Sequence, residues 1–127
     1  HEAQFLDPAA RDIEALFDVF ALTPTSGESL GTSILEGFCM ELPAVATEVG
    51  GTGESVRTGQ TGFLVKAGPE EQQIEELAQA FLTLLRDPDL RRRMGQAGHA
   101  MVLEEFSPKN LATRCAQIYE NLALGNL

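Results

Sequence analysis

The sequence predicts an α/β fold, a partial doubly wound parallel sheet followed by a helical carboxyl-terminal tail. Three observations predict it. Two short, fully apolar runs, Val19-Phe20-Ala21-Leu22 and Ala44-Val45-Ala46 ending at Thr47, have the character of parallel strands covered on both faces. Amphipathic stretches with helical spacing alternate with these runs. Beyond Gly68-Pro69 the pattern stays helical to the end of the chain.

The elements follow in order. Residues Asp7 to Phe17 read as a short helix, with Asp7 able to cap it and Pro8 suited to its first position. The first strand is expected over Val19–Leu22, broken by Pro24-Thr25-Ser26-Gly27. A helix from about Thr32 to Leu42 places Ile34, Leu35, Phe38, Cys39 and Leu42 on one face. Pro43-Ala44-Val45-Ala46-Thr47 supplies the next buried strand, and Val49-Gly50-Gly51-Thr52-Gly53 a flexible loop. Glu54-Ser55-Val56-Arg57 fits one helical turn, and Phe63-Leu64-Val65 a weaker third strand. Three helices finish the chain. Their expected inner faces are Ile74, Leu77, Ala78, Phe81 and Leu85; then Leu90, Met94, Ala97 and Met101; then Leu111, Cys115, Ile118 and Leu122. Ser107 caps the last of them, with Pro108 at its first position. Phe17, Phe20, Phe38, Phe63 and Phe81 all fit core positions.

Size and charge bound the function. A chain of 127 residues is one domain at most, yet long enough to bury a core. Its net charge of -10 argues against nucleic acid, whose phosphates need a basic face, and against an anionic membrane surface. No apolar run approaches the roughly 18 residues needed to span a bilayer, and no export signal is visible. Cys39 and Cys115 lie in apolar helical patterns and read as reduced core thiols. Together these features predict a cytoplasmic location.

The chemistry concentrates in Glu28-Ser29-Leu30-Gly31-Thr32-Ser33-Ile34-Leu35-Glu36, which follows a buried strand and opens a helix. In parallel α/β sheets ligands sit beyond the carboxyl ends of strands. The free amides of a helix start favour anions such as a diphosphate. Gly31 allows close approach of a ligand to the backbone. Glu28 and Glu36 can accept hydrogen bonds from hydroxyls on either side of a phosphate. The same residues also admit a structural explanation. Ser33-x-x-Glu36 satisfies a capping box, and the helix dipole favours an early Glu in any case.

The wider pattern resembles the donor-binding domain of retaining glycosyltransferases of family 4, which have the GT-B fold. The resemblance lies in an apolar strand and turn, Asp18-Val19-Phe20-Ala21-Leu22-Thr23-Pro24, then Glu28 and Glu36 separated by seven residues. It continues through Pro43-Ala44-Val45-Ala46-Thr47, Gly50-Gly51 with Glu54, and Gly59-Gln60-Thr61-Gly62-Phe63-Leu64-Val65. It closes on Leu84-Leu85-Arg86-Asp87, Met94-Gly95-Gln96-Ala97-Gly98 and Phe106-Ser107, so nearly all the chain is covered in the right order.

The resemblance implies a Rossmann-like half of a GT-B enzyme, with residues 1–127 forming part of the carboxyl-terminal donor-binding domain. The implied donor is a nucleoside diphosphate sugar. Glu28 is implied as the catalytic residue contacting the sugar, and Glu36 as the ligand of the ribose hydroxyls. The amides of Leu30, Gly31, Thr32 and Ser33 are implied to meet sugar and phosphate. Neither a metal nor another cofactor is implied. Ser29-Leu30 replaces the usual Gly-Phe, and Glu36-Gly37 the usual Glu-Ala, which bears on the sugar accepted. The family's diphosphate-binding Arg and Lys, and its acceptor domain, precede anything matching His1. The chain therefore resembles a fragment, expected to be inactive alone. Its incomplete sheet is expected to pair with another copy, by exchange of the amino-terminal segment, or to belong to a longer parent protein. A non-catalytic nucleotide-sugar-binding or regulatory module with the same fold is the alternative function.

Other residues read as structural. In Asp87-Pro88-Asp89 either Asp serves as a helix cap rather than a metal ligand. Arg91-Arg92-Arg93 reads as a solvated helix face, His99 as surface or half-buried, and Glu54 as the cap of its short helix.

Overall fold

The computed structural model describes residues 16–27 and 30–125. Three parallel strands, β1 (Phe20–Leu22), β2 (Ala44–Glu48) and β3 (Gly62–Lys66), form a sheet in that order. The helices are α1 (Thr32–Cys39), α2 (Thr52–Ser55), α3 (Glu70–Arg86), α4 (Pro88–Glu105) and α5 (Pro108–Ala123). The expected strands thus all form, each within a residue or two of its expected limits. The predicted helix over Asp7–Phe17 falls almost wholly outside the described residues.

Registers Phe20↔Ala44↔Gly62 and Leu22↔Ala46↔Leu64 set one face of the sheet, and Ala21↔Val45↔Phe63 the other. On one face Ala44 and Ala46, with Phe20, Leu22 and Leu64, pack against Ile34 and Phe38 of α1 and Met101 of α4. On the other, Val45 and Phe63 pack against Leu77, Ala80, Phe81 and Leu84 of α3 and Met94 of α4. Residues 44–47 of β2 are all buried, which explains why that segment has no polar alternation. Helices cover both faces, as a doubly wound sheet requires.

Several expected faces are corrected. On α3 the stripe Leu77, Ala80, Phe81, Leu84 meets the sheet, while Ile74 and Leu85 are more than half exposed and Ala78 is exposed too. The helix carries more apolar residues than one face can use, and the sheet selects a single i, i+3, i+4, i+7 stripe. On α4, Gly95 and Gly98 are buried where Ala97 was expected. Helix α5 buries none of its residues; Leu111, Ile118 and Leu122 are exposed, as is Cys115. Its periodicity is that of a packed helix, but among the described residues nothing covers that face. Cys39 is half-buried and neither cysteine is in a disulfide, so the two are not a pair of core thiols. Phe17 is exposed rather than core.

The capping residues behave as their chemistry requires. Asp87 accepts from the Leu90 amide at 2.9 Å, and Ser107 from the Asn110 amide at 3.3 Å. Asp89 instead pairs with Arg92. Arg91 departs from the expected solvated face: its Nη1 donates to the Leu84 and Leu85 carbonyls at 2.7 and 2.9 Å, closing the carboxyl end of α3.

Helix α1 ends at Cys39, three residues before the expected Leu42. Leu42 N–H donates to the Gly37 carbonyl and Glu41 N–H to that of Phe38, both at 3.0 Å. This is a Schellman motif, and Glu41 holds its left-handed position at φ 57°. Glycine takes that conformation without the side-chain penalty. Glu41→Gly is therefore expected to stabilise the fold by about 0.5–1 kcal/mol, measured as a rise in the urea midpoint with unchanged slope. Among the described residues no helix is long and apolar enough to cross a membrane.

Candidate functional site

The loop between β1 and α1 sits at the carboxyl edge of the sheet, where open α/β folds hold their ligands. It ends at Gly31, the N-cap of α1, with φ 69° and ψ 51°. A Cβ on Gly31 would stand 3.0 Å from Ile34 Cδ1 and 3.3 Å from Leu22 Cδ2. Left-handed backbone and tight packing together require glycine here.

Among the described residues no side chain caps α1. Ile34 N–H donates to the Gly31 carbonyl at 2.8 Å, while the amides of Thr32 and Ser33 have no acceptor among the described residues. Two unsatisfied donors at the positive end of a helix dipole form a place for an anion. The capping-box explanation fails on geometry. The helix starts at Thr32, so Ser33 lies inside it, and Glu36 has no N-cap side chain to answer.

Glu36 stands in the second turn of α1, half-buried. Its carboxylate makes no hydrogen bond or ion pair among the described residues. It lines a groove of about 300 Å³ together with Thr32, Leu35, Cys39, Val102, Phe106 and Pro108. Leu30, Gly31, Thr32, Ser33 and Glu36 therefore lie together along the end of the loop and the first two turns of one helix. Glu28 lies outside the described residues, as does Ser29.

Sequence reasoning passed over three buried hydroxyls, two of which bond to this loop. Thr47, at the carboxyl end of β2, donates from Oγ1 to the Pro24 carbonyl at 2.6 Å. Ser55, the last residue of α2, donates from Oγ to the Leu30 carbonyl at 2.5 Å. Thr52 Oγ1 accepts from Val49 N–H at 3.0 Å and lies 2.8 Å from the Thr47 carbonyl. The available signal was polar residues at the end of an apolar strand and inside a glycine-rich turn. Glu54, expected to cap α2, is exposed in its first turn and caps nothing; the N-cap is Gly51.

Residues 10–101 match the glycosyl transferases group 1 family. The chain belongs to that family. Among its relatives, the alpha-maltose-1-phosphate synthase of Mycolicibacterium smegmatis is 36% identical over 115 residues, 89% of this chain and 30% of that protein. The N-acetyl-alpha-D-glucosaminyl L-malate synthase of Bacillus anthracis is 30% identical over 85% of this chain and 27% of its own length. The crystal structure of Anabaena HepE in complex with UDP and glucose superposes with a TM-score of 0.68 at 32% identity, over 87% of this chain and 28% of that one. Its complex with UDP superposes with a TM-score of 0.72. The group 1 member described here thus spans about 30% of the length of such relatives. Its α/β architecture is that of the GT-B glycosyltransferases, as the resemblance implied.

Proposed function

We propose that residues 1–127 form part of the carboxyl-terminal donor-binding domain of a retaining hexosyltransferase of family 4. The full protein moves a sugar from a nucleoside diphosphate to an acceptor. Glu36 accepts hydrogen bonds from the ribose hydroxyls, and Glu28 contacts the sugar. The amides at Leu30–Ser33 meet sugar and diphosphate. No metal is assigned to the site, and a cytoplasmic location agrees with two cysteines that form no disulfide.

The observation that carries this function is the start of α1, which among the described residues has no side-chain cap and no partner for the Glu36 carboxylate, in a chain of this family. Diphosphate charge builds up as the glycosidic bond breaks, and the helix dipole with its two amides stabilises that charge without rearrangement. The side chains hold the donor for attack rather than attacking it themselves.

Calorimetric titration of the full-length protein with UDP-glucose, the sugar nucleotide bound by HepE in another solved complex, is the direct test. GDP- and ADP-glucose should be titrated in parallel. Saturable binding of one of the three, weakened about 10- to 100-fold in Glu36→Ala, is expected; no binding of any would overturn the assignment. A further expectation is that the 127-residue chain alone transfers no sugar. Detectable, Glu36-dependent transfer by that purified chain would contradict it.

A further inference from the structure

We propose that Thr47 and Ser55 are positioning residues that fix the donor loop from both sides, an inference that rests on the function proposed above. Their hydrogen bonds reach Pro24 and Leu30, which flank Glu28 in sequence. Each bond spans a long stretch of chain, 23 residues for Thr47 and 25 for Ser55. Both residues are buried, at 2% and 0% exposure, so neither meets solvent or donor.

The choice of acceptor is informative. A serine near the end of a helix can return its proton to a carbonyl of its own previous turn. Ser55 instead donates to Leu30, at the residue before the N-cap of α1. Because a trans peptide is planar, fixing the Leu30 carbonyl fixes the whole Leu30–Gly31 peptide unit. Thr47 acts likewise at the start of the loop, on the carbonyl of Pro24. Thr52, at 0% exposure, holds the Thr47–Thr52 turn through its own hydroxyl. Three hydroxyls at the end of β2 and along α2 therefore form one buried unit. That unit fixes the described ends of the β1–α1 connection, at Pro24 and Leu30, and delivers the first amides of α1 to the donor. Preorganisation of this kind lowers the ordering cost that binding must otherwise meet.

The test uses the full-length protein with Thr47→Val, Thr47→Ser and Ser55→Ala. Valine keeps the shape of threonine and removes the hydroxyl; serine restores it. Hydrogen exchange of the peptide covering residues 23–31 is measured beside titration with the sugar nucleotide that binds wild type. Faster exchange confined to this peptide is expected in Thr47→Val and Ser55→Ala. A loss of affinity of about three- to tenfold should accompany it, with both readouts returning to near wild type in Thr47→Ser. Unchanged loop exchange, or affinity loss not rescued by serine, would overturn the clamp alone. Faster loop exchange in a protein that binds no sugar nucleotide would instead refute the donor function, and with it the positioning role.

Discussion

Replacing Glu36 with alanine in the full-length protein is expected to weaken sugar-nucleotide binding by about 10- to 100-fold. The magnitude follows from the loss of hydrogen bonds to an ionised acceptor, worth about 1.5–3 kcal/mol. Folding should be nearly untouched, because the carboxylate serves no partner among the described residues and alanine is the better helix former. Midpoints of unfolding within about 0.5 kcal/mol of wild type are expected. Glu28→Ala should act differently, lowering turnover more than affinity, since its assigned contact is the sugar at the reacting end. Titration and steady-state kinetics on both variants separate these roles. Wild-type donor affinity in Glu36→Ala would remove the ribose assignment.

The largest effect on stability is expected at Gly95→Ala. Glycine within a helix normally costs about 1 kcal/mol relative to alanine, so an isolated α4 would gain from the change. In the folded protein a Cβ on Gly95 would stand 1.8 Å from the Glu41 carbonyl oxygen, part of the turn that ends α1. Backbone cannot yield as a flexible side chain does. The helices must separate, and Phe38, which lies under Gly98 on the same face, loses its packing. Overpacking of this kind costs about 1–3 kcal/mol or more, which outweighs the gain in propensity. With a backbone clash placing the cost at the upper end of that range, Gly95→Ala should lower stability by about 1–2 kcal/mol net in urea unfolding. Ala97→Gly, on the exposed side of the same helix, provides the comparison and should cost only about 1 kcal/mol. A stabilised Gly95→Ala protein would show that α1 and α4 are not in contact as described.

Period and punctuation made the architecture legible in the sequence. The apolar run at Ala44–Ala46 has no polar alternation because β2 is covered on both faces, and burial of that kind leaves a direct trace in composition. Pro88 and Pro108 mark helix starts because their missing N–H groups are not needed there. Spacing also brought Leu30, Gly31, Thr32, Ser33 and Glu36 together, since residues on one helix start are neighbours by covalent geometry. The remainder depends on contacts between segments distant in the chain. Periodicity could not choose among the apolar stripes of α3, because that choice depends on which one the sheet meets. It assigned α5 a buried face, although a helical pattern states only that a partner is needed, not which segment provides it. Ser33 and Glu36 have the spacing of a capping box, and only the positive φ of Gly31 shows that the helix begins before Ser33. The roles of Thr47 and Ser55 were decided by tertiary structure alone. A hydroxyl can bond its own turn or a distant carbonyl equally well in chemical terms, and only the folded arrangement brings Pro24 and Leu30 within reach.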